Sequence, residues 1–174
     1  MNKNKTKRNE VLAYMAGSKG NMVVIKLPYL ERRNLKYKAK ALMDKKFEGF
    51  RTGLGWKNLS KSWIDLYKEA LDLILESNAE ILVYNTNDPV EILNSLKGSV
   101  DRIYSSDIVL QKKDKELYFV RLEENIVGQL GTLISGIYGY LDILINDPEG
   151  QSAKAEITRY ALDRGIEEKI TYVL

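Results

Sequence analysis

Short apolar runs rich in β-branched residues alternate along this chain with longer segments whose apolar residues recur every three or four positions. The first pattern is typical of strands, and the second is typical of helices that bury one face. The runs predict strands over residues 21–27, 80–85, 102–110, 116–122 and 169–174. The periodic segments predict helices over residues 35–47, 62–77, 89–98, 126–145 and 152–164. This alternation favours an α/β fold with a mixed central sheet flanked by helices.

Local signals predict where several of these elements begin, end and pair. Asp88-Pro89 predicts a helix start, because the carboxylate can cap free N–H groups and proline suits the first helical position. Ser62 followed by Asp65 has the spacing of a capping box, and Gly165 is a helix-ending glycine. The polar tetrapeptide KKDK indicates that the two strands around it form a hairpin. The last strand is apolar enough to be predicted as central in the sheet.

Basic residues are concentrated in the first third of the chain. Residues 1–62 hold sixteen Lys and Arg against four acids, a formal charge of +12, whereas residues 63–174 hold eleven against twenty, a charge of −9. The basic third is therefore predicted to bind a polyanion, although the two parts could instead neutralise each other within the chain or across a dimer interface. We predict a flexible basic arm over residues 1–20 and one α/β domain over residues 21–174. Within that domain, residues 21–62 are a basic subregion and residues 63–174 are the core.

Candidate phosphate contacts lie around the first predicted helix and in the glycine-punctuated segment 49–60, which predicts a loop. Trp56 or Tyr37 could stack on a base or a sugar. The candidate nucleic-acid-binding residues are Arg32, Arg33, Lys36, Lys40, Arg51, Trp56 and Lys57. Because nothing among them specifies base edges, we expect salt-dependent binding with little sequence selectivity, and DNA is favoured over RNA. The alternative is that these lysines form an ordinary solvated helix face.

The chain contains neither cysteine nor histidine. Disulfides, thiolate metal sites, thiol nucleophiles and imidazole chemistry are therefore excluded. If the protein is an enzyme, its chemistry must use carboxylates, lysines, hydroxyls and an oxygen-bound cation such as Mg²⁺, and otherwise we expect no cofactor. The absence of cysteine is compatible with the cytoplasmic location that we expect.

The segment 125–141 is uncharged over 17 residues. Gln129 and four glycines dilute it, and a membrane span needs about 20 apolar residues, so we interpret it as a buried helix and expect no membrane association. Gly131, Ser135 and Gly139 recur every four positions in this helix and form a row of small residues. The row either lets the sheet approach closely or serves as the seam of a homodimer.

From Trp63 onward the predicted order is helix, strand, short helix, two hairpin strands, long helix, helix and strand. Apart from the short helix, this order resembles the αβββαβ core of the PD-(D/E)xK nuclease superfamily, which includes restriction endonucleases and archaeal Holliday-junction resolvases. The strand sequences SDIVL (106–110) and ELYFV (116–120) also look like that family. The resemblance, which covers residues 63–174, implies an Asp on one hairpin strand and an acid-x-Lys on the next. The two carboxylates would hold Mg²⁺, and the lysine would help to deprotonate the attacking water.

The chain departs from this motif at the catalytic positions. Asp107 stands where the resemblance places the first Asp, but the acid-x-Lys position reads Arg121-Leu122-Glu123. A guanidinium repels Mg²⁺, so the resemblance implies a vestigial, inactive site at Arg121. Two alternatives stay open: Glu123 or Glu124 is a migrated metal ligand beside Asp107, or Arg121 and Glu123 form a salt bridge that replaces the metal. Outside the nuclease interpretation, Asp107 is a strand-end residue that bonds its own backbone, and Glu123 and Glu124 are a solvated helix start.

These features favour a nucleic-acid-binding protein with an inactive nuclease-like fold. Such a scaffold, retained as a binding or inhibitory module, would suit a virus, phage or plasmid protein. One alternative is an active Mg²⁺-dependent endonuclease that uses Asp107 with Glu123 or Glu124. The other is a protein-interaction module whose basic third docks on an acidic partner.

Overall fold

Strands and helices alternate along the chain, which confirms the α/β class. The computed structural model describes residues 9–16, 21–46, 53–96, 102–105, 117–118 and 126–173. The strands are β1 Asn9–Ala16, β2 Asn21–Pro28, β3 Glu80–Asn85, β4 Arg102–Ser105, β5 Leu117–Tyr118 and β6 Ile170–Val173. The helices are α1 Tyr29–Lys46, α2 Ile64–Leu75, α3 Pro89–Leu96, α4 Ile126–Asn146, α5 Ala153–Asp163 and α6 Ile166–Lys169. Two 3₁₀ turns, Trp56–Asn58 and Lys61–Trp63, precede α2.

The described strands form one mixed sheet in the order β5-β4-β1-β2-β3-β6. Strand β2 is antiparallel to both of its neighbours, and the other neighbouring strands run parallel. Strand β1 pairs with β2 along its whole length, from Asn9 opposite Pro28 to Ala16 opposite Asn21. The prediction of a flexible arm over residues 1–20 is therefore wrong for residues 9–16, which form a central strand. The apolar run VLAYMA has the composition of a strand, but it directly follows a segment with four basic residues, a composition typical of flexible termini.

The order of elements after Trp63 follows the prediction, but the pairing of the strands does not. Strands β4 and β5 are parallel, with Ile103 opposite Leu117, so they are not a hairpin. Strands β1 and β2 lie between β3 and β4. Strand β6 is at one edge of the described sheet rather than at its centre, and Tyr172 is exposed there. Apolar content indicates a strand but does not encode its direction or its neighbours, because both depend on distant segments.

Four helices cover one face of the sheet. Helix α1 contacts α2 and α4, α2 contacts α4 and α5, and α4 contacts α5 and β1. The main core lies between this layer and the sheet. Its buried strand residues include Val23, Ile25, Leu27, Ile81, Val83 and Ile170, and its buried helix residues include Leu35, Leu66, Tyr67, Leu71, Leu130, Ile134, Ile137 and Ile157.

Helix α3 is placed on the opposite face of the sheet. The connection from β3 through α3 to β4 crosses the sheet in one direction, and the connection from β5 through α4 and α5 to β6 crosses it in the other. Since parallel crossovers are right-handed, opposite directions put their helices on opposite faces. Burial agrees with this placement. Met22 and Val24, which alternate along β2 with the residues of the main core, are buried outside that core, and so are Leu93 and Leu96 of α3.

Helix ends follow local chemistry at two of the predicted places, Asp88 and Gly165. The Asp88 carboxylate accepts a hydrogen bond from the Glu91 N–H at 3.2 Å, at the start of α3. Gly165, with φ of 79°, follows the end of α5. At the start of α5 the Ser152 side chain accepts a hydrogen bond from the Ala155 N–H, a cap that was not predicted. The predicted capping box at Ser62 is not formed, because Ser62 lies within a 3₁₀ turn and α2 begins only at Ile64. Of the described helices, none combines the length and apolar character needed to cross a membrane.

Candidate nucleic-acid interface

One side of α1 carries an exposed row of cations. Arg33, Lys36 and Lys40 are exposed, and their spacing of three and four residues places them in line on the helix surface. We call these three residues the basic stripe. It extends for about 10 Å along the helix axis, since each residue rises about 1.5 Å. Leu35 and Ala39 fix α1 against the core, and the stripe lies on the exposed surface of the helix beside them.

An exposed aromatic ring lies beside the stripe. Tyr37 is 60% exposed and is hydrogen-bonded to the Arg33 side chain. That bond is the main cause of a lowered Tyr37 pKa, and the charges of Arg33, Lys36 and Lys40 lower the pKa further. The Arg33 guanidinium also lies 5.9 Å from the centre of the Tyr29 ring. The stripe and Tyr37 therefore form one surface with positive charge around a ring.

Arg32 lies one helical turn before Lys36 but is less exposed than the stripe. It is half-buried, and its guanidinium lies 5.5 Å from the centre of the Tyr29 ring. Of the candidates predicted in α1, the structure thus brings Arg33, Lys36 and Lys40 together and leaves Arg32 at the margin.

Trp56, predicted to stack on a nucleic acid, packs instead against α4. A Cβ added to Gly136 would lie 2.1 Å from Cδ2 of the Trp56 ring, so the indole rests directly on the helix backbone. The Tyr140 ring centre is 6.0 Å from that of Trp56, and the Lys154 ammonium lies 5.6 Å from the indole centre. The indole is half-buried by these contacts. The sequence indicated an aromatic ring in a basic loop, whereas the glycine that receives it lies far away along the chain.

Polar side chains hold the same loop to the core. The Leu54 N–H donates to Gln129 Oε1 at 2.8 Å, and the Trp56 N–H donates to Thr132 Oγ1 at 3.0 Å. From the other side, the hydroxyl of fully buried Tyr67 donates to the carbonyl of Asn58 at 2.6 Å. This loop is therefore a packed part of the fold. Gln129 has a structural role here.

Two other predicted phosphate contacts, Arg51 and Lys57, belong to the same glycine-punctuated segment. Lys57 is exposed within the 3₁₀ turn beside Trp56, and this turn contacts α4. Arg51 lies outside the described residues. Lys57 therefore lies on the loop that packs on α4, and it is not part of the basic stripe on α1.

The candidate metal site also lies outside the described residues, which include neither Asp107 nor Arg121, Glu123 and Glu124. Within the part of the chain that the structure describes, no group of three or more carboxylates lies close enough together to hold a metal ion. The catalytic and vestigial roles of these four residues stay predictions.

The small residues of α4 do not form one accessible row. Gly131 and Ser135 are buried, whereas Gly139 is exposed. Because α4 contacts β1, close approach to the sheet accounts for small residues on its inner side. The seam predicted for a homodimer is therefore not available as one continuous surface.

A polar cluster that sequence analysis did not predict joins α2 to α5. The Tyr160 hydroxyl donates to Asp72 Oδ2 at 2.6 Å and accepts from Arg164 Nη2 at 2.7 Å. Lys68 and Glu156 form an ion pair at 3.0 Å between the same helices. Burial, and then the bond to Asp72, raise the pKa of Tyr160. Asp72 and Tyr160 are 88 residues apart, so no local pattern could have predicted their contact.

Comparisons with protein-family models, with curated proteins and with solved structures gave no significant match.

Proposed function

We propose that this protein binds nucleic acid through the phosphate backbone, using the basic stripe of α1. The observation that carries the proposal is the exposed line of Arg33, Lys36 and Lys40 on a helix that Leu35 and Ala39 anchor in the core. Phosphates of one strand are spaced about 3.4 Å along a duplex axis, so three cations along about 10 Å lie within the axial length of about four successive phosphates and can neutralise about three of them.

The charges around the stripe favour a polyanion. Helix α1 holds seven basic and two acidic residues. Of the two acids, Glu31 accepts a hydrogen bond from the Asn78 N–H at 3.3 Å. Asp44 lies one turn beyond Lys40. Among the described residues, no carboxylate forms an ion pair with a member of the stripe. Its charge is thus available to a ligand.

Salt dependence tests this proposal. Neutralising about three phosphates makes the affinity for DNA fall roughly 20- to 40-fold between 50 and 200 mM salt. Fluorescence anisotropy of a labelled oligonucleotide would measure this slope. Lys36→Gln or Lys40→Gln should reduce the slope by about one unit. Lys38→Gln is the matched control, because Lys38 is exposed on the same helix but outside the stripe.

Two results would overturn the proposal. One is the absence of binding at 50 mM salt. The other is an equal effect of Lys36→Gln and Lys38→Gln, since a general loss of charge would then explain the change.

The inactive nuclease-like site is a separate part of the proposal. Arg121 in the place of a metal-binding carboxylate supports binding without cleavage. Incubation of the protein with supercoiled plasmid and Mg²⁺ tests this point. Cleavage that disappears in Asp107→Ala would show instead an active endonuclease, whereas intact plasmid would support a binding role.

A further inference from the structure

Tyr37 is an aromatic side chain of the basic surface whose ring is free to meet a ligand. It is 60% exposed, and Arg33 and Lys40 lie one helical turn before and after it. Trp56, by contrast, is engaged by Gly136, Tyr140 and Lys154. Of these two predicted stacking residues, the structure leaves Tyr37 as the available one.

Cations lie around the Tyr37 ring. Arg33, and then Lys36 and Lys40, lower the Tyr37 pKa, and the Arg33 guanidinium lies 5.9 Å from the centre of the Tyr29 ring. A base that stacks on Tyr37 therefore brings its flanking phosphates close to these cations.

We infer that the basic stripe prefers single-stranded to double-stranded nucleic acid, because Tyr37 stacks on an unpaired base while Arg33, Lys36 and Lys40 contact the flanking phosphates. This inference rests on the proposed function. In a duplex the base faces are covered by neighbouring base pairs and cannot meet a ring on a helix surface. In a single strand they are accessible, and cations combined with aromatic rings are the common means of binding single strands without sequence preference.

Electrostatics alone would produce the opposite preference. A duplex has the higher charge density and releases more counterions for each phosphate that is neutralised. A tighter complex with the single strand therefore requires a contribution beyond charge, and the exposed ring can supply it.

The experiment compares a labelled 12-nucleotide DNA of mixed sequence with its own duplex, by fluorescence anisotropy at 50 mM salt. We expect the wild-type protein to bind the single strand at least five-fold more tightly. Tyr37→Leu should weaken single-strand binding about ten-fold, or about 1.4 kcal/mol, and duplex binding less than two-fold. Tyr37→Phe keeps the ring and should bind the single strand within two-fold of the wild type.

Tyr172→Leu is the matched control, because Tyr172 is equally exposed but lies on β6 at the sheet edge. It should change neither affinity. Circular dichroism of each variant verifies that the fold is retained, which the exposure of both tyrosines leads us to expect.

The possible results distinguish a failure of the single-strand preference from a failure of the proposed nucleic-acid binding. If both DNA forms bind and depend on Lys36, but Tyr37→Leu matches Tyr37→Phe, the stacking role is wrong and the proposed function stands. Duplex binding as tight as single-strand binding would likewise overturn the preference alone. If neither form binds, the proposed function fails and the inference fails with it.

Discussion

The contact between Gly136 and Trp56 yields a prediction in which two effects of one methyl group oppose each other. Replacing a helical glycine by alanine normally stabilises a helix by about 1 kcal/mol. In Gly136→Ala, however, the new Cβ would lie 2.1 Å from Cδ2 and 2.3 Å from Cγ of the indole. No real contact is that short, so the Trp56 ring must leave the helix surface.

The size of the loss follows from the area that the ring covers. A buried aromatic side chain removes about 150–250 Å² from water. If displacement exposes roughly 100 Å² of Trp56, the loss is about 2.5 kcal/mol at 25 cal/mol per Å². Subtracting the helix gain of about 1 kcal/mol leaves a net destabilisation of about 1.5 kcal/mol. The displaced ring should also weaken the bond from the Trp56 N–H to Thr132.

Urea unfolding followed by circular dichroism measures this change in the free energy of unfolding. Gly139→Ala is the matched control, because Gly139 lies in the same helix but is exposed. We expect the control to be stabilised by up to about 1 kcal/mol and Gly136→Ala to be destabilised. If both variants are stabilised alike, the packing of Trp56 on α4 is refuted.

Three further predictions concern single side chains. Tyr67→Phe removes the buried hydroxyl that bonds the 53–58 loop, so we expect about 1–2 kcal/mol less stability in urea, and an unchanged midpoint would contradict this tether. Because burial and a bond to Asp72 raise the pKa of Tyr160, its stabilising contribution is complete below pH 10 and disappears as the pH rises through the folded pKa. The stability advantage of the wild type over Tyr160→Phe should therefore shrink above pH 10, and a difference that stays constant from pH 8 to 11 would count against this. Gly165 has a φ of 79°, so Gly165→Ala should lower the thermal midpoint more than Gly165→Asn does, and equal midpoints would disprove a strained turn.

Local patterns predicted most of the described elements. Strands β2 and β3 and helices α3, α4 and α5 lie within a few residues of their predicted bounds. Strong signals mark several of them: a β-branched run before Pro28, the Asp88-Pro89 helix start, and Gly165 after α5. Strand β1 was missed because its apolar run follows a cluster of lysines, and strand direction was missed because pairing depends on segments far apart in sequence. Hydrophobic periodicity indicates which side chains of a segment are buried, but it does not indicate which other segment they pack against.

In the candidate site, too, local features could be predicted from the sequence and long-range contacts could not. The exposure of Arg33, Lys36 and Lys40 follows from the spacing of Leu35 and Ala39, which is a local property of one helix. The position of the loop around Trp56 depends on residues about 75 positions away, such as Gln129, which bonds the Leu54 N–H. No spacing rule within residues 49–60 could show that this loop is bound to α4.

These contacts bear on the two explanations of the uneven charge. If the basic and acidic parts neutralised each other within the chain, the cations of α1 should meet carboxylates from residues 63–174. The ion pairs Lys68–Glu156 and Asp72–Arg164 instead join members of the acidic part to one another. Among the described residues, the basic stripe lies beside the Tyr29 and Tyr37 rings and forms no ion pair with a carboxylate. This arrangement is the one that the proposed polyanion ligand requires, since exposed like charges repel and a ligand that lies across them would remove that repulsion.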